Sequence, residues 1–113
     1  MREMHHIVCL VFDRDDPSSR ARAHSLIATL VDDAAARGWG EYRTHLALMD
    51  QIAGTYSFNG NAQMRLNERI KDALDPKGVL APGKNGIWPK GYDAAAYKIE
   101  VGRLGHLEQD GGH

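Results

Sequence analysis

Residues 17–37 constrain the fold more than any other stretch, because their apolar side chains recur at helical spacing and form a single face. Asp16 is a favoured N-cap, Pro17 suits the first helical position, and Gly38 is typical of the position just past a helix end. The pattern predicts one long amphipathic helix, which needs another element to cover its apolar face. The apolar positions are Ala23, Leu26, Ile27, Leu30, Val31, Ala34 and Ala35.

The run HIVCLVF at residues 6–12 precedes this helix and is rich in β-branched and aromatic residues. Such a run predicts a short buried β-strand, in which Cys9 is a buried free thiol. Residues 39–44 are short enough to form a second strand. A strand followed by a long helix is half of a βαβ or ferredoxin-like unit, so we expect an α+β fold with a partial ferredoxin-like cap.

Two further helices are predicted at residues 45–54 and 61–74, separated by an Asn-Gly-Asn turn at 59–61. Asp75 followed by Pro76 ends the second of these helices. The segment VLAPGKNGIWP at residues 79–89 contains two prolines and two glycines, which exclude a regular helix. Its apolar side chains need cover, so we expect this loop to lie against another element.

Composition excludes several classes of function for this chain of 113 residues. The net charge is −1, which offers no electrostatic attraction to nucleic acid or to an anionic membrane. No apolar run reaches the roughly 18 residues of a membrane-spanning helix, and the N-terminus lacks the apolar core of a signal peptide. His5, His6, His24 and His45 lack the spacing of metal ligands. We therefore expect a soluble, cytoplasmic domain that binds no metal.

The sequence Tyr42-Arg43-Thr44-His45 is the strongest candidate for a binding site. Arginine is always charged and donates up to five hydrogen bonds in a planar fork, and a neighbouring tyrosine hydroxyl adds another donor. Together Tyr42 and Arg43 can hold a small oxyanion such as a carboxylate, phosphate or phenolate. A surface Tyr-Arg pair at an element boundary is the alternative. Lys84 in the GKNG turn has similar alternatives, a plain turn or a contact with an anion.

The chain resembles the C-terminal part of the vanillyl-alcohol oxidase and 4-cresol dehydrogenase flavoprotein family, which includes eugenol oxidase. The resemblance covers residues 1–88 and lies in three long stretches, MREMHHIVCLVF, GWGEYRTHLALMDQIAGTYSFN and RLNERIKDALDPKGVLAPGKNGIWP. It implies FAD as the cofactor and the oxidation of para-substituted phenols by hydride transfer to the flavin. The substrates implied are 4-hydroxybenzyl alcohols and 4-alkylphenols.

The resemblance also implies roles for individual residues. Tyr42 and Arg43 match the pair that binds the substrate phenolate and stabilises it during catalysis, and Lys84 and Asn85 are expected to face the flavin. Residues 1–58 would belong to the cap, or substrate, domain, and residues 59–91 would return to the FAD domain.

Family members are several times longer, so the resemblance implies a C-terminal fragment of a homo-oligomeric enzyme. FAD would be bound mainly by an N-terminal portion that this sequence lacks, and the isolated chain would be inactive. The loop at 79–88 would then be ordered only against that portion. Independently of the resemblance, the tail at 92–113 is weakly patterned, and we expect it to be disordered. The alternative is a non-catalytic α+β remnant that binds a partner or a small aromatic anion.

Overall fold

The computed structural model describes residues 4–99, and helices are the only regular elements in that range. None of these helices is both long enough and apolar enough to cross a membrane. Two of the elements are short 3₁₀ turns, which we name by their residues. In chain order the elements are α1 (Pro17–Ala36), the 3₁₀ turn Leu46–Leu48, α2 (Met49–Thr55), α3 (Phe58–Leu74), the 3₁₀ turn Lys84–Gly86 and α4 (Ala94–Tyr97).

Helix α1 confirms the prediction made from periodicity and capping. The Asp16 carboxylate accepts a hydrogen bond from the Ser18 N–H at 2.9 Å, and Pro17 is the first helical residue. This bond satisfies one of the N–H groups that a helix leaves unpaired at its start. At the other end Arg37 is the C-cap, and Gly38 has a φ of 77°, which a glycine adopts without strain.

The predicted strand at residues 6–12 is wrong, because the described residues contain no β-strand. Ile7, Val8 and Val11 are 78%, 61% and 98% exposed, and Cys9 is exposed rather than buried. A strand is stabilised by hydrogen bonds to a neighbouring strand, and residues 4–99 supply no such neighbour. The apolar, β-branched composition of residues 6–12 favours burial, but it does not supply the neighbouring strand that a β-strand needs. The α+β class, with its partial ferredoxin-like cap, is corrected to an all-helical arrangement.

The core is small and lies where α1 meets α2. Val31, Leu48 and Ile52 form its buried cluster, and Ile27 packs against it. Leu26 and Leu30, on the same predicted apolar face of α1, remain 46% and 41% exposed. The face is therefore only partly covered, because α2 has 7 residues and α1 has 20.

A glutamine side chain joins the two helices beside this core. The Gln51 side-chain amide donates to the Ala28 carbonyl at 3.0 Å and to the Asp32 carboxylate at 2.9 Å. Two bonds from one planar amide restrict both the distance and the rotation between the helices. Gln51 thus supplements the few apolar contacts that hold α2 on α1.

Helix α3 begins with a left-handed turn and ends where the sequence predicts. Asn59, Gly60 and Asn61 have φ values of 50°, 62° and 59°, so right-handed geometry covers residues 62–74. Asparagine and glycine are the residue types that adopt this conformation most readily. The Arg65 guanidinium donates to the carbonyls of Asn59 and Gly60, which supports the turn.

The Asp75 carboxylate connects the end of α3 to the loop that follows. It accepts hydrogen bonds from the Lys71 ammonium at 2.6 Å, the Val79 N–H at 2.8 Å and the Leu80 N–H at 2.9 Å. The bond from Lys71, together with those from the two backbone amides, lowers the pKa of Asp75 to about 2. The Lys71 ammonium also donates to the Leu80 carbonyl, so Lys71 and Asp75 both form hydrogen bonds with the backbone of the same turn.

The loop at residues 79–89 packs on α2. Gly86 has a φ of 73°, and a Cβ at that position would lie 2.8 Å from the Ala53 Cβ, so glycine permits the close approach. Beside it the Asn85 N–H donates to the Met49 sulfur at 3.4 Å, and the Trp88 indole donates to Asp50 at 3.3 Å. The loop is therefore held by this chain, whereas the sequence-based expectation required a flavin-binding portion.

We predict that Asp75→Asn destabilises the chain in a pH-dependent way. Because the folded-state pKa lies below the usual value of 3.8, the ionised carboxylate stabilises the fold fully above that value. This stabilisation is lost as the pH falls from 3.8 toward 2. Urea unfolding at a series of pH values should therefore show the wild type and the variant converging at acid pH. Asp33→Asn is the control, and a constant difference for Asp75→Asn would contradict the assignment.

We also predict that Gly86→Ala releases the loop. The new Cβ meets Ala53 and a left-handed backbone is unfavourable for alanine, so we expect a loss of about 1–3 kcal/mol in the free energy of unfolding. Amide exchange at Gly83, Lys84 and Ile87 should become faster than in the wild type. Gly54→Ala is the matched control, because open space surrounds that position in α2 and alanine favours a helix. Equal exchange in the Gly86 variant would show that the loop does not depend on this contact.

Candidate functional site

A cavity of about 400 Å³ lies between the loop at 41–44, helices α2 and α3, and the 3₁₀ turn Lys84–Gly86. This volume is within the range of small-molecule binding sites. We call it the α2–α3 pocket. Its walls are partly apolar, with Met49 and Ile52 from α2, Met64 from α3, and Ile87 after the turn. Sulfur-containing and branched side chains of this kind suit a flat aromatic ligand.

The four site residues predicted from the sequence all line this pocket. Tyr42 and Arg43 come from the loop before α2, and Lys84 and Asn85 come from the 3₁₀ turn about forty residues later. The packing of the loop at 79–89 on α2 brings the two pairs into one cavity. Proximity in the fold does not by itself assign a role to any of them.

Sequence reasoning missed several residues of the pocket. Gln63 and Asn67 contribute polar groups from α3, and Tyr56 contributes an aromatic ring after α2. Gln63 and Asn67 are four positions apart and therefore share a face of α3. The helical periodicity of α3 predicts that shared face, but no local signal shows that it borders a cavity.

Arg43 places a positive charge at the pocket, and Glu41 lines the same pocket without forming an ion pair with it. Its guanidinium carbon lies 5.6 Å from the centre of the Tyr42 ring, an arrangement in which the cation is attracted to the ring face. Within residues 4–99 no acidic group forms an ion pair with Arg43, and Tyr42 is 70% exposed. The donors of the guanidinium are thus available to an anionic ligand.

Two hydrogen bonds hold the loop on either side of Tyr42 and Arg43. The Tyr56 hydroxyl donates to the Glu41 carbonyl at 2.6 Å, just before the pair. The His45 Nδ1 accepts from the Ala47 N–H at 3.1 Å and so caps the 3₁₀ turn Leu46–Leu48, just after the pair. This bond occupies the Nδ1 acceptor, so in the neutral ring the proton is on Nε2.

Lys84 and Asn85 also line the pocket. Lys84 makes no ion pair among the described residues, and Asn85 has a φ of 55° that directs the chain around the turn. An ammonium and a side-chain amide are suitable partners for the polar edge of a heteroaromatic ring such as a flavin.

The described range contains no glycine-rich turn between a strand and a helix, the structure that binds the diphosphate of a dinucleotide. The residues present therefore fit a ring edge and not the remainder of a dinucleotide. The same range contains no cluster of three or more His, Cys, Asp or Glu side chains that could hold a metal ion.

Comparison with known proteins yields a family match and related sequences. Residues 1–85 match the family model described as FAD linked oxidases, C-terminal domain. The chain is 35% identical over 86 residues to the 4-cresol dehydrogenase [hydroxylating] flavoprotein subunit of Pseudomonas putida, an alignment that covers 76% of this chain and 16% of that protein. It is 31% identical over 86 residues to 1'-carboxy-chondrochloren decarboxylase of Chondromyces crocatus, covering 74% of this chain and 15% of that protein.

A solved structure is similar in both sequence and fold. The 4-ethylphenol oxidase from Gulosibacter chungangensis, in complex with isoeugenol, shares 52% sequence identity with a TM-score of 0.66. That similarity covers 70% of this chain and 15% of the oxidase. The chain thus spans less than a fifth of the length of the relatives it matches. On the family match and these relatives, the chain belongs to the FAD-linked oxidases and corresponds to their C-terminal domain.

Proposed function

We propose that this chain supplies the phenolate-binding part of an FAD-dependent oxidoreductase that acts on para-substituted phenols, such as 4-alkylphenols and 4-hydroxybenzyl alcohols. The observation that carries the proposal is that Tyr42 and Arg43 both line a partly apolar pocket, with the Arg43 guanidinium over the Tyr42 ring and in no ion pair among the described residues. A phenolate needs donors and positive charge at its oxygen and apolar cover for its ring. The names of two relatives refer to 4-cresol and 4-ethylphenol, which supports this class of substrate.

Tyr42 and Arg43 would act by favouring the ionised form of the substrate. A free phenol has a pKa of about 10, like that of tyrosine. A guanidinium in contact with the oxygen lowers this pKa, because it stabilises the anion by direct charge attraction. The phenolate then directs electron density through the ring to the para position. That density assists the departure of a hydride from the carbon attached there, and donors held in place at the oxygen stabilise the charge throughout the step.

FAD, when bound, supplies the acceptor for the hydride. We propose that Lys84 and Asn85 contact the polar edge of its ring from within the pocket. Most of the FAD-binding surface would belong to a portion of the protein outside this chain, and the complete enzyme would be a homo-oligomer. The single cysteine, Cys9, is compatible with activity in the reducing cytoplasm.

A second candidate is binding of a small aromatic anion without redox chemistry. It is favoured by one observation, that the described residues line a partly apolar pocket with Tyr42 and Arg43 and contain no dinucleotide-binding turn. In the first candidate the bound phenol is oxidised by a flavin next to the pocket, and in the second it is only bound. Measuring turnover as well as binding distinguishes the two.

A graft tests the redox proposal directly. This chain would replace the corresponding region of the Gulosibacter chungangensis oxidase, and turnover of 4-ethylphenol would be measured. We predict that Arg43→Ala in the graft lowers kcat about ten- to a hundredfold, since a charged hydrogen bond contributes about 1.5–3 kcal/mol. Arg43→Lys should restore activity only in part, because an ammonium keeps the positive charge but lacks the planar set of donors that a guanidinium offers. Tyr42→Phe should have a smaller effect, because it removes one neutral donor.

The control for these variants is Arg69→Ala, since Arg69 is an exposed arginine of α3 that does not line the pocket. Unchanged turnover in Arg43→Ala would refute binding of the phenolate oxygen by Tyr42 and Arg43, the pair that we call the clamp. A graft that binds isoeugenol and FAD and yet never oxidises 4-ethylphenol would favour the non-redox candidate.

A further inference from the structure

We infer that Tyr56 is a positioning residue that holds Tyr42 and Arg43 at the pocket, an inference that rests on the proposed function. Its hydroxyl donates to the carbonyl of Glu41, the residue immediately before the pair, at 2.6 Å. Within residues 4–99 this is the only hydrogen bond that joins the segment 40–45 to a residue more than five positions away. Among the described residues, one long-range hydrogen bond therefore holds the backbone beside Tyr42 and Arg43.

A second contact fixes the ring of Tyr56 against the same segment. A Cβ built on Gly40 would lie 2.9 Å from the Tyr56 hydroxyl oxygen and 3.2 Å from Cε1. Ordinary side chains do not tolerate such approaches, so only glycine lets the backbone come this close. Gly40 has no positive φ, which means that the requirement is for space and not for an unusual backbone conformation. The ring and the hydroxyl thus hold two consecutive residues, Gly40 and Glu41.

The base of Tyr56 is itself well anchored. Tyr56 is the C-cap of α2, and its N–H donates to the Ala53 carbonyl at 3.4 Å. In the turn before it, the Thr55 hydroxyl donates to the Ile52 carbonyl at 2.7 Å, and Ile52 is part of the buried cluster. The bond to Glu41 therefore connects the loop to the end of α2, the helix that contributes Ile52 to the small core.

Tyr42 and Arg43 have little else to hold them. Both side chains are exposed. The Arg43 guanidinium lies over the Tyr42 ring, and the Tyr42 ring packs edge-to-face against the His5 ring with a centroid distance of 5.3 Å. Ordering exposed side chains on binding costs free energy, and a loop that is already held reduces that cost. Loss of the Tyr56 bond should therefore weaken binding of an anion and leave the core packing unchanged.

The experiment uses the full 113-residue chain and 4-nitrophenol, whose ionised form is distinguished from the neutral form by its visible absorption. We expect the wild type to bind the ionised form more tightly than the neutral form. Tyr56→Phe keeps the ring against Gly40 and removes only the hydroxyl. It should weaken binding of the ionised form about three- to tenfold, the effect of one lost hydrogen bond, with an unchanged thermal midpoint.

Two matched controls accompany this variant. Tyr97→Phe removes the hydroxyl of an exposed tyrosine outside the pocket and should change neither affinity nor stability. Gly40→Ala should displace the Tyr56 hydroxyl from Glu41 and reproduce the weaker binding, whereas Gly91→Ala, in open space, should not. Comparing Gly40→Ala with Gly91→Ala tests the inference without changing Tyr56 itself.

The outcomes separate this inference from the proposed function. Wild-type affinity in both Tyr56→Phe and Gly40→Ala, with weaker binding in Arg43→Ala, would refute the role of Tyr56 and leave the clamp in place. No preference for ionised 4-nitrophenol in the wild type, and no change in Arg43→Ala, would refute the clamp and the inference together. A lower thermal midpoint with unchanged affinity in Tyr56→Phe would assign Tyr56 to stability alone.

Discussion

The close approach of Gly86 to Ala53 is the contact on which the α2–α3 pocket depends. It brings the loop at 79–89 against α2, a short helix that is itself held on α1 by the small core and by Gln51. Without that approach Lys84 would not share a cavity with Arg43. The pocket therefore forms mainly because a glycine lets two backbone segments come close together, and less because many apolar side chains are buried.

Charge is used in two contrasting ways within this small structure. The Asp75 carboxylate has three donors around it, and its low pKa reflects how completely its charge is satisfied. Arg43 and Lys84 have no acidic partners among the described residues. A paired charge stabilises a turn, whereas an unpaired charge beside a cavity is available to a ligand. This contrast distinguishes the structural carboxylate from the cations to which we assign binding.

Many large apolar side chains remain outside the core. Ile7, Val8 and Val11 before α1, and Leu26 and Leu30 on it, are all exposed. Exposed apolar surface of this extent is typical of regions that contact another protein surface. The proposed function supplies such a surface, the FAD-binding portion, and the limited share of its relatives' length that the chain covers agrees with that proposal.

The sequence by itself determined the features that depend on neighbouring residues. The caps and periodicity of α1, the end of α3 at Asp75, and the irregular loop at 79–89 all follow from interactions within a few positions along the chain. The candidate pair Tyr42 and Arg43 was also recognisable, because their donors are adjacent in sequence.

The tertiary structure decided what depends on distant partners. Residues 6–12 have a strand-like composition, but a strand forms only beside another, and no pattern within the segment reveals whether one is present. Likewise, periodicity placed Leu26 and Val31 on one face of α1, and only the position of α2 decided which of them is buried. The roles that we infer for Tyr56 and Gly40 arise in the same way, because Tyr56 contacts Glu41, fifteen positions away, and the adjacent Gly40, and no local signal encodes either contact. Helix propensity and capping depend on residues within about one helical turn, whereas burial of a side chain and pairing of a strand depend on the whole fold.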